Sequence, residues 1–393
     1  MDFTFTEEQQ AAVEAARAVF SDVAPDRVPS PALTPGAVAE DIDRQLWHEL
    51  ARTDLLGLTL SPDHGGAGLD PIALCLVLRE SAKVLARVPL LESCAVAMAV
   101  QRYGDRALAA ELLPRAGRGE LILTVGANGR SGHDPAELAV TARPYGEGSE
   151  AGDGETDASA GGSGWMLDGV QSAVPWAQAA DWIAVPAHTT GGRPVLALVP
   201  RTRDGVTLAD QVSTSGERLA EVRLDAVRVE ARELIDAADC WDWLRSLLTT
   251  GTCALALGLG ERVLAMTAEY TGKREQFGFP VATFQAVAVQ AADRYIDLRA
   301  MEATLWQAAW RISTDAGGPL PAAGDVAVAK IWASDGVRRV VQTAQHLHGG
   351  FGADTDYPLH RFHAWAKQIE LSLGPAAAHE EALGDLLASH PLG

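Results

Sequence analysis

The hydrophobic pattern changes period twice along the chain, and the two changes mark off three regions. Thr6 with Gln9 three positions on is a capping box that predicts a helix to about Val23. Pro25, Pro29, Pro31 and Pro35 then break the pattern. Helical spacing resumes over Arg44–Thr53, Pro71–Leu85 and Leu90–Tyr103, with a short helix at Asp105–Arg115. The glycines of Gly57–Asp70 predict a loop.

The middle third reads differently. Leu121–Val125, Glu137–Ala142, Trp165–Val170, Trp182–Pro186, Val195–Pro200 and Arg218–Val229 are short, β-prone and divided by turn residues, which predicts an antiparallel sheet or barrel. Tyr145–Gly164 is almost all Gly, Ser, Glu, Asp and Ala, too polar to bury, and reads as a hairpin loop. Helical periodicity returns near Ala237. Leu244, Leu247, Leu248, Gly251, Leu255, Gly258 and Leu259 form one stripe, and Val281–Ile312, Gly324–His346 and Arg361–Ser389 supply three more long helices. Gly251, Gly258 and Gly260 each weaken an isolated helix by ~1 kcal/mol, for which close helix–helix approach is the compensation. The prediction is an α+β chain: a helical domain over 1–118, a β domain over 119–236 and a four-helix bundle over 237–393.

Composition narrows the function classes. Of 393 residues, 47% are hydrophobic and 21% charged, which is globular. A formal charge of −20 argues against nucleic acid or an anionic membrane as partner. The four cysteines form no CxxC pair and have no histidine at metal-ligand spacing, so no metal site is expected and buried, reduced thiols point to a cytoplasmic protein. Asp2, Glu7 and Glu8 replace the basic start of a secretory signal, and no apolar run approaches the ~18–20 residues of a membrane helix.

The candidate chemistry lies in two loops between apolar helices. Arg274-Glu-Gln-Phe-Gly278 puts a guanidinium where a helix ends, able to grip a pyrophosphate with two parallel hydrogen bonds. Phe277 adds an apolar face, Gly278 permits a tight turn, and Phe284-Gln285 opens the next helix. About seventy residues on, Leu347-His-Gly-Gly-Phe-Gly352 has a glycine pair that lets backbone approach a ligand, followed by Tyr357-Pro-Leu-His-Arg361.

Together these segments resemble the two loops with which acyl-CoA dehydrogenases hold the ADP half of FAD across a subunit boundary. The resemblance implies that family's α–β–α fold, FAD as cofactor, and cofactor contacts at Arg274, Gln276, Phe277, Phe284, His346, Gly349 and Gly350. His346 stands where the family usually has glutamine, and His348 is expected to pack or hydrogen-bond locally.

What is lost carries equal weight. The family's catalytic glutamate occupies one of two positions. Here they read Leu373, before Gly374, and Leu248, 26 residues ahead of Arg274, so no catalytic residue is assigned. Glu370 is near Leu373 but faces roughly 300° round a helix. The family's T-E-P-x-x-G-S-D becomes Thr124-Val-Gly-Ala-Asn-Gly-Arg-Ser131, and its W/F-I-T-N becomes Ala173-Val-Pro-Trp176, without the threonine that hydrogen-bonds flavin.

Retained ADP-side loops beside a lost base resemble the base-lacking subunit of the α2β2 acyl-CoA dehydrogenases of sterol side-chain β-oxidation. Met266-Thr-Ala-Glu-Tyr270, Asp293-Arg-Tyr-Ile-Asp297, Gln307-Ala-Ala-Trp-Arg311, Asp354-Thr-Asp356, Val88-Pro-Leu-Leu-Glu92 and Met1-Asp-Phe-Thr4 carry that likeness. It implies a homologous partner subunit that supplies the glutamate and most of the acyl-CoA pocket, with an electron-transferring flavoprotein as acceptor. The alternatives are a self-sufficient homotetramer with an atypical base such as Glu370, and a non-enzymatic scaffold that keeps the fold.

Overall fold

The computed structural model describes residues 4–25, 38–39, 42–129, 138–145 and 164–390. The sequence readings at Met1–Phe3, Pro29, Pro31, Pro35, Arg130, Ser131, Glu137 and the interior of the Tyr145–Gly164 segment lie outside them.

The first region is helical: α1 (Glu7–Phe20), α2 (Arg44–Arg52), α3 (Pro71–Ala82), α4 (Leu90–Tyr103) and α5 (Arg106–Gly117). The Thr6–Gln9 capping box forms in both directions, at 3.2 and 3.0 Å. Asp43, Asp70 and Asp105 cap α2, α3 and α5 by accepting from backbone N–H groups of the first turn.

The middle strands are β1 (Leu123–Val125), β2 (Val140–Tyr145), β3 (Gly164–Pro175), β4 (Trp182–Thr189), β5 (Pro194–Pro200), β6 (Val206–Val212), β7 (Arg218–Glu230) and β8 (Leu234–Ile235). They form one sheet in the order β6-β7-β3-β2-β4-β5-β8, with β1 beside β4. Two points correct the sequence reading. The sheet is mixed, because β1 and part of β2 run parallel to β4. The strands β6 and β8 were not foreseen: β6 is a largely exposed edge strand with little apolar alternation, and β8 is two residues long. Tyr145 pairs with Gly164, so β2 and β3 are the arms of the expected hairpin.

The last region holds α6 (Cys240–Lys273), α7 (Gln285–Thr314), α8 (Ala322–His348), α9 (Leu359–Leu371) and α10 (Ala376–Ser389). The predicted last helix is two helices. Leu373 has φ +58° and Gly374 φ +98°, and Pro375 disfavours helix at the residue before it. Glu370 and Leu373 therefore do not share a helix, and the separation of roughly 300° expected from the sequence does not hold.

The helix α6 is long and apolar enough by length and composition to cross a membrane, which corrects the reading that no run qualifies; 78% of that window is buried inside the protein. It is the core helix. A Cβ at Gly258 would lie 1.9 Å from the Arg79 carbonyl oxygen, so only glycine lets α3 and α6 approach this closely. All four cysteines are buried free thiols.

Candidate functional site

The Arg274 loop is a hairpin built directly on the end of α6. Arg274 leaves the helix with extended backbone, φ −72° and ψ 121°. Two short strands follow, β9 (Glu275–Gln276) and β10 (Phe279–Pro280), paired antiparallel. Phe277 and Gly278 between them have φ of +54° and +83°, the double positive φ of a type I′ turn. Glycine takes that backbone freely, whereas Phe277 does so at a cost of ~1–2 kcal/mol. Yet Phe277 is 91% exposed, with the Phe284 ring edge-on at 6.3 Å. The Arg274 side chain is exposed, and no carboxylate pairs with it among the described residues.

The glycine-pair loop lies beside the same end of α6. Gly349 ends α8 with φ +59°, and a 3₁₀ turn covers Gly349–Ala353. His346, Gly349 and Gly350 are exposed, and a Cβ on Gly350 would meet nothing within 4 Å. Internal packing therefore does not call for glycine there. His348 is buried, and Nδ1–H donates to the Ala344 carbonyl at 2.8 Å, so Nε2 accepts from the Tyr357 hydroxyl at 3.2 Å. Burial holds its pKa below the ordinary value. Local packing was the sequence expectation. Tyr270, one turn before Arg274, stacks on His348 at 4.4 Å and on Phe351 at 5.2 Å. This aromatic stack ties the two loops to one corner of the helical bundle.

Leu248 and Leu373, where the resemblance placed the expected base, lie elsewhere, on one cavity. Leu248 from α6 and Leu373 from the α9–α10 turn both line a space of about 540 Å³ under α3 and α4. None of the seven residues expected to touch cofactor lines it. A second cavity, of about 340 Å³, shares Leu373 and Ala127 with the first and runs toward Arg245 and His379. The turn that carries Leu373 is held from below. Lys330, 1% exposed, donates to the carbonyls of Ile369 and Glu370 at 3.2 and 2.9 Å, capping the end of α9. His379 Nε2 lies 2.9 Å from the Leu373 carbonyl, and burial pushes its pKa down to about 4, so the ring is neutral and Nε2–H donates.

The carboxylates around the large cavity differ from those the sequence singled out. Glu370 lines neither cavity; Lys367 holds it at 2.6 Å and Arg338 stands 3.9 Å away. Glu92 and Glu217 line it and were missed. Arg87 binds Glu217 at 2.8 Å. Glu92 stands in the first turn of α4, and burial pushes its carboxyl up to about 7, against hydrogen bonds from its own backbone and the Trp176 indole. The signal available was an acid in a helical first turn behind Pro89, which says nothing about a cavity.

The strand residues that the resemblance set against the family's flavin motifs make internal hydrogen bonds. The Thr124 hydroxyl is buried and donates to the Pro175 carbonyl at 2.6 Å, and the Asn128 amide donates to the Ala173 carbonyl at 3.2 Å. The residues present thus fit a dinucleotide cofactor unevenly. A lone guanidinium and an open glycine backbone suit a pyrophosphate arriving from outside, while Thr124 is already committed within the sheet.

The family "Acyl-CoA dehydrogenase, N-terminal domain" matches residues 6–120, and "Acyl-CoA dehydrogenase, C-terminal domain" matches residues 248–387. The acyl-CoA dehydrogenase FadE27 of Mycobacterium tuberculosis is 36% identical over 354 residues, 89% of this chain and 89% of its own. A chain in the crystal structure of the ChsE4–ChsE5 complex from Mycobacterium tuberculosis superposes with a TM-score of 0.86 at 34% identity, covering 100% of both chains. One from a variant of the Tcur3481–Tcur3483 steroid ACAD gives 0.85 at 36% identity over 98% of each chain. The matched domains at both ends, with a relative this similar along nearly the whole length, place this chain in the acyl-CoA dehydrogenase family.

Proposed function

We propose that this chain is the base-less subunit of a heteromeric acyl-CoA dehydrogenase and completes an FAD site whose reacting end lies on a homologous partner. The observation that carries the proposal is a separation. Both positions open to the family's glutamate, Leu248 and Leu373, meet on one cavity as leucines, while the cofactor loops lie exposed and off that cavity. Leucine takes no proton, so α-proton abstraction falls to a carboxylate of the partner. FAD is the family's cofactor and, when bound, supplies the acceptor for the β-hydride.

The chain's own contribution is binding and orientation. Arg274 offers its guanidinium fork to the pyrophosphate, and the aromatic stack behind it keeps the hairpin in place. Gly349 and Gly350 let backbone N–H groups come near the nucleotide, with Gln276 and His346 as neighbouring polar groups. Phe277, Phe279 and Phe284 are exposed aromatic surface beside these groups, suited to a subunit contact. The acyl-CoA is held mainly by the partner, and electrons leave to an electron-transferring flavoprotein. A steroid side-chain thioester is the substrate class supported by likeness to a chain described as a steroid ACAD.

The test is flavin content and acyl-CoA turnover of the chain purified alone and with a co-expressed homologous subunit that carries the glutamate. The expected result is a colourless, inactive chain alone and a yellow, active complex. Stoichiometric flavin with turnover by the single chain would overturn the proposal. If that activity disappeared in Glu92→Gln, the self-sufficient reading would take its place.

A further inference from the structure

We propose that His348 is a positioning residue of the cofactor corner: its Nε2 takes the Tyr357 hydroxyl and closes the glycine-pair loop as a clasp, which sets Gly349 and Gly350 at a fixed place relative to Arg274. The inference rests on the proposed function in taking these two loops to hold the nucleotide half of FAD.

The loop needs such a closure. Of residues 349–356 only Gly352 is buried, so the segment gains little from burial of its own. Its internal backbone bonds are local: a 3₁₀ turn over Gly349–Ala353, and Tyr357 N–H to the Asp354 carbonyl at 3.3 Å. These shape the segment without fixing where it sits. Gly349 has positive φ and Gly350 has open space around it, so neither resists a change of path. The hydroxyl bond from Tyr357 to His348, at 3.2 Å, joins two residues nine apart and shuts the segment at its base. Gly352 marks the closeness of the fit: a Cβ there would lie 3.0 Å from the His348 Cβ and 2.8 Å from Gln345 Nε2.

The ring makes that bond in one tautomer. His348 Nδ1 lies 2.8 Å from the Ala344 carbonyl, which accepts and never donates, so Nδ1 carries the proton and Nε2 keeps its lone pair for Tyr357. The side chain is 3% exposed, and burial favours the neutral ring that this arrangement requires. So enclosed, it acts through the loop that it holds.

Ring faces join the clasp to the other loop. Tyr270 lies nearly parallel to His348 (4.4 Å, 19°) and to Phe351 (5.2 Å, 8°), and Phe351 meets Tyr357 at 4.6 Å. The Tyr270 carbonyl in turn accepts from the Arg274 N–H at 2.8 Å. A nucleotide gripped from both loops binds best when their spacing is set beforehand. Freedom at the clasp therefore costs affinity even when every contacting group is still present.

The test separates the two ring nitrogens. In His348→Gln the amide reaches the Nε2 position and still accepts from Tyr357; in His348→Asn it reaches the Nδ1 position and keeps only the bond to Ala344. Each variant is assembled with the glutamate-bearing partner. FAD affinity is then read by flavin fluorescence on dilution, beside a thermal melt of the variant chain alone. The expected result is FAD binding about three- to tenfold weaker for Asn, the scale of one hydrogen bond, with Gln near the parent. Tyr357→Phe should match Asn, and the two changes together should lose no more than either alone. If neither histidine variant folds, Tyr357→Phe decides alone. Equal FAD affinity in the Gln and Asn variants, a Tyr357→Phe complex that holds FAD like the parent, or a loss in Asn that follows a lower melting temperature would each overturn the inference and leave the proposed function standing. A parent complex without FAD would overturn both.

Discussion

Arg274→Ala is expected to release FAD from the assembled enzyme and to leave the chain's own fold nearly untouched. The guanidinium is exposed and unpaired among the described residues, so its removal breaks no ion pair within the chain. It does stand at the carboxyl end of α6, where the helix dipole favours a cation by ~0.3–1 kcal/mol. That bounds the stability loss, and a chain of this size should melt no more than ~2–4 °C lower. The loss at the cofactor is larger. A fork on a pyrophosphate makes charge-assisted hydrogen bonds worth ~1.5–3 kcal/mol. Removing it weakens FAD binding by ~10- to 150-fold. Arg274→Lys should fall between, because an ammonium restores the charge without the planar fork. The assay is bound flavin after gel filtration of the complex at successively lower protein concentrations, paired with a thermal melt of the chain alone. Full flavin retention by the Ala variant would show that Arg274 is a solvated surface charge. A fall in melting temperature well beyond the bound would show a structural role, and either result refutes the reasoning.

Three further outcomes are expected. Gly258→Ala should force α3 off α6, because its Cβ would lie 1.9 Å from the Arg79 carbonyl oxygen, at a cost of ~2–3 kcal/mol read as a fall in melting temperature; an unchanged melt would mean that the helices part freely. Glu92→Gln should raise stability near pH 8 by on the order of 1–3 kcal/mol, with the gap closing by about pH 4. The sign follows from a carboxyl pushed up to about 7 in the fold, from an ordinary 4.5: its contribution is intact below the unfolded value and lost as pH rises through 7. A gap that widens toward acid would contradict the burial of Glu92. Leu373→Glu, assembled with a partner whose own base is removed, should give no dehydrogenation and a chain less stable by ~1–3 kcal/mol, since an unpaired carboxylate enters an aliphatic wall; turnover there would mean that one leucine separates this chain from a working enzyme.

Much of this protein was legible in its residues because the signals were local. Helix starts depend on a capping side chain within one turn, and the Thr6–Gln9 box acts where its spacing says it should. The end of α6, the hairpin at Gly278 and the glycine break after α8 follow from residue types whose backbone preferences are strong. Leucines at positions 248 and 373 could be read directly, as could the stripe that makes α6 a core helix.

Tertiary structure decided what depends on neighbours distant in the chain. The parallel pairing of β1 with β4, and the edge strand β6, come from which strands the fold lays side by side, and alternation within a strand does not encode that. Periodicity carried Arg361–Ser389 as one helix; Gly374 and Pro375 break it, and Lys330 from α8 fixes where the first half ends. Glu370 and Glu92 exchanged importance for the same reason. Both are part-buried, but Glu370 is paired with Lys367 and approached by Arg338, whereas Glu92 faces the large cavity with the Trp176 indole beside it. A charged side chain's role depends on what surrounds it in space, and the cavity that Glu92 faces is walled also by α6, α9 and the sheet, which lie far from it in sequence.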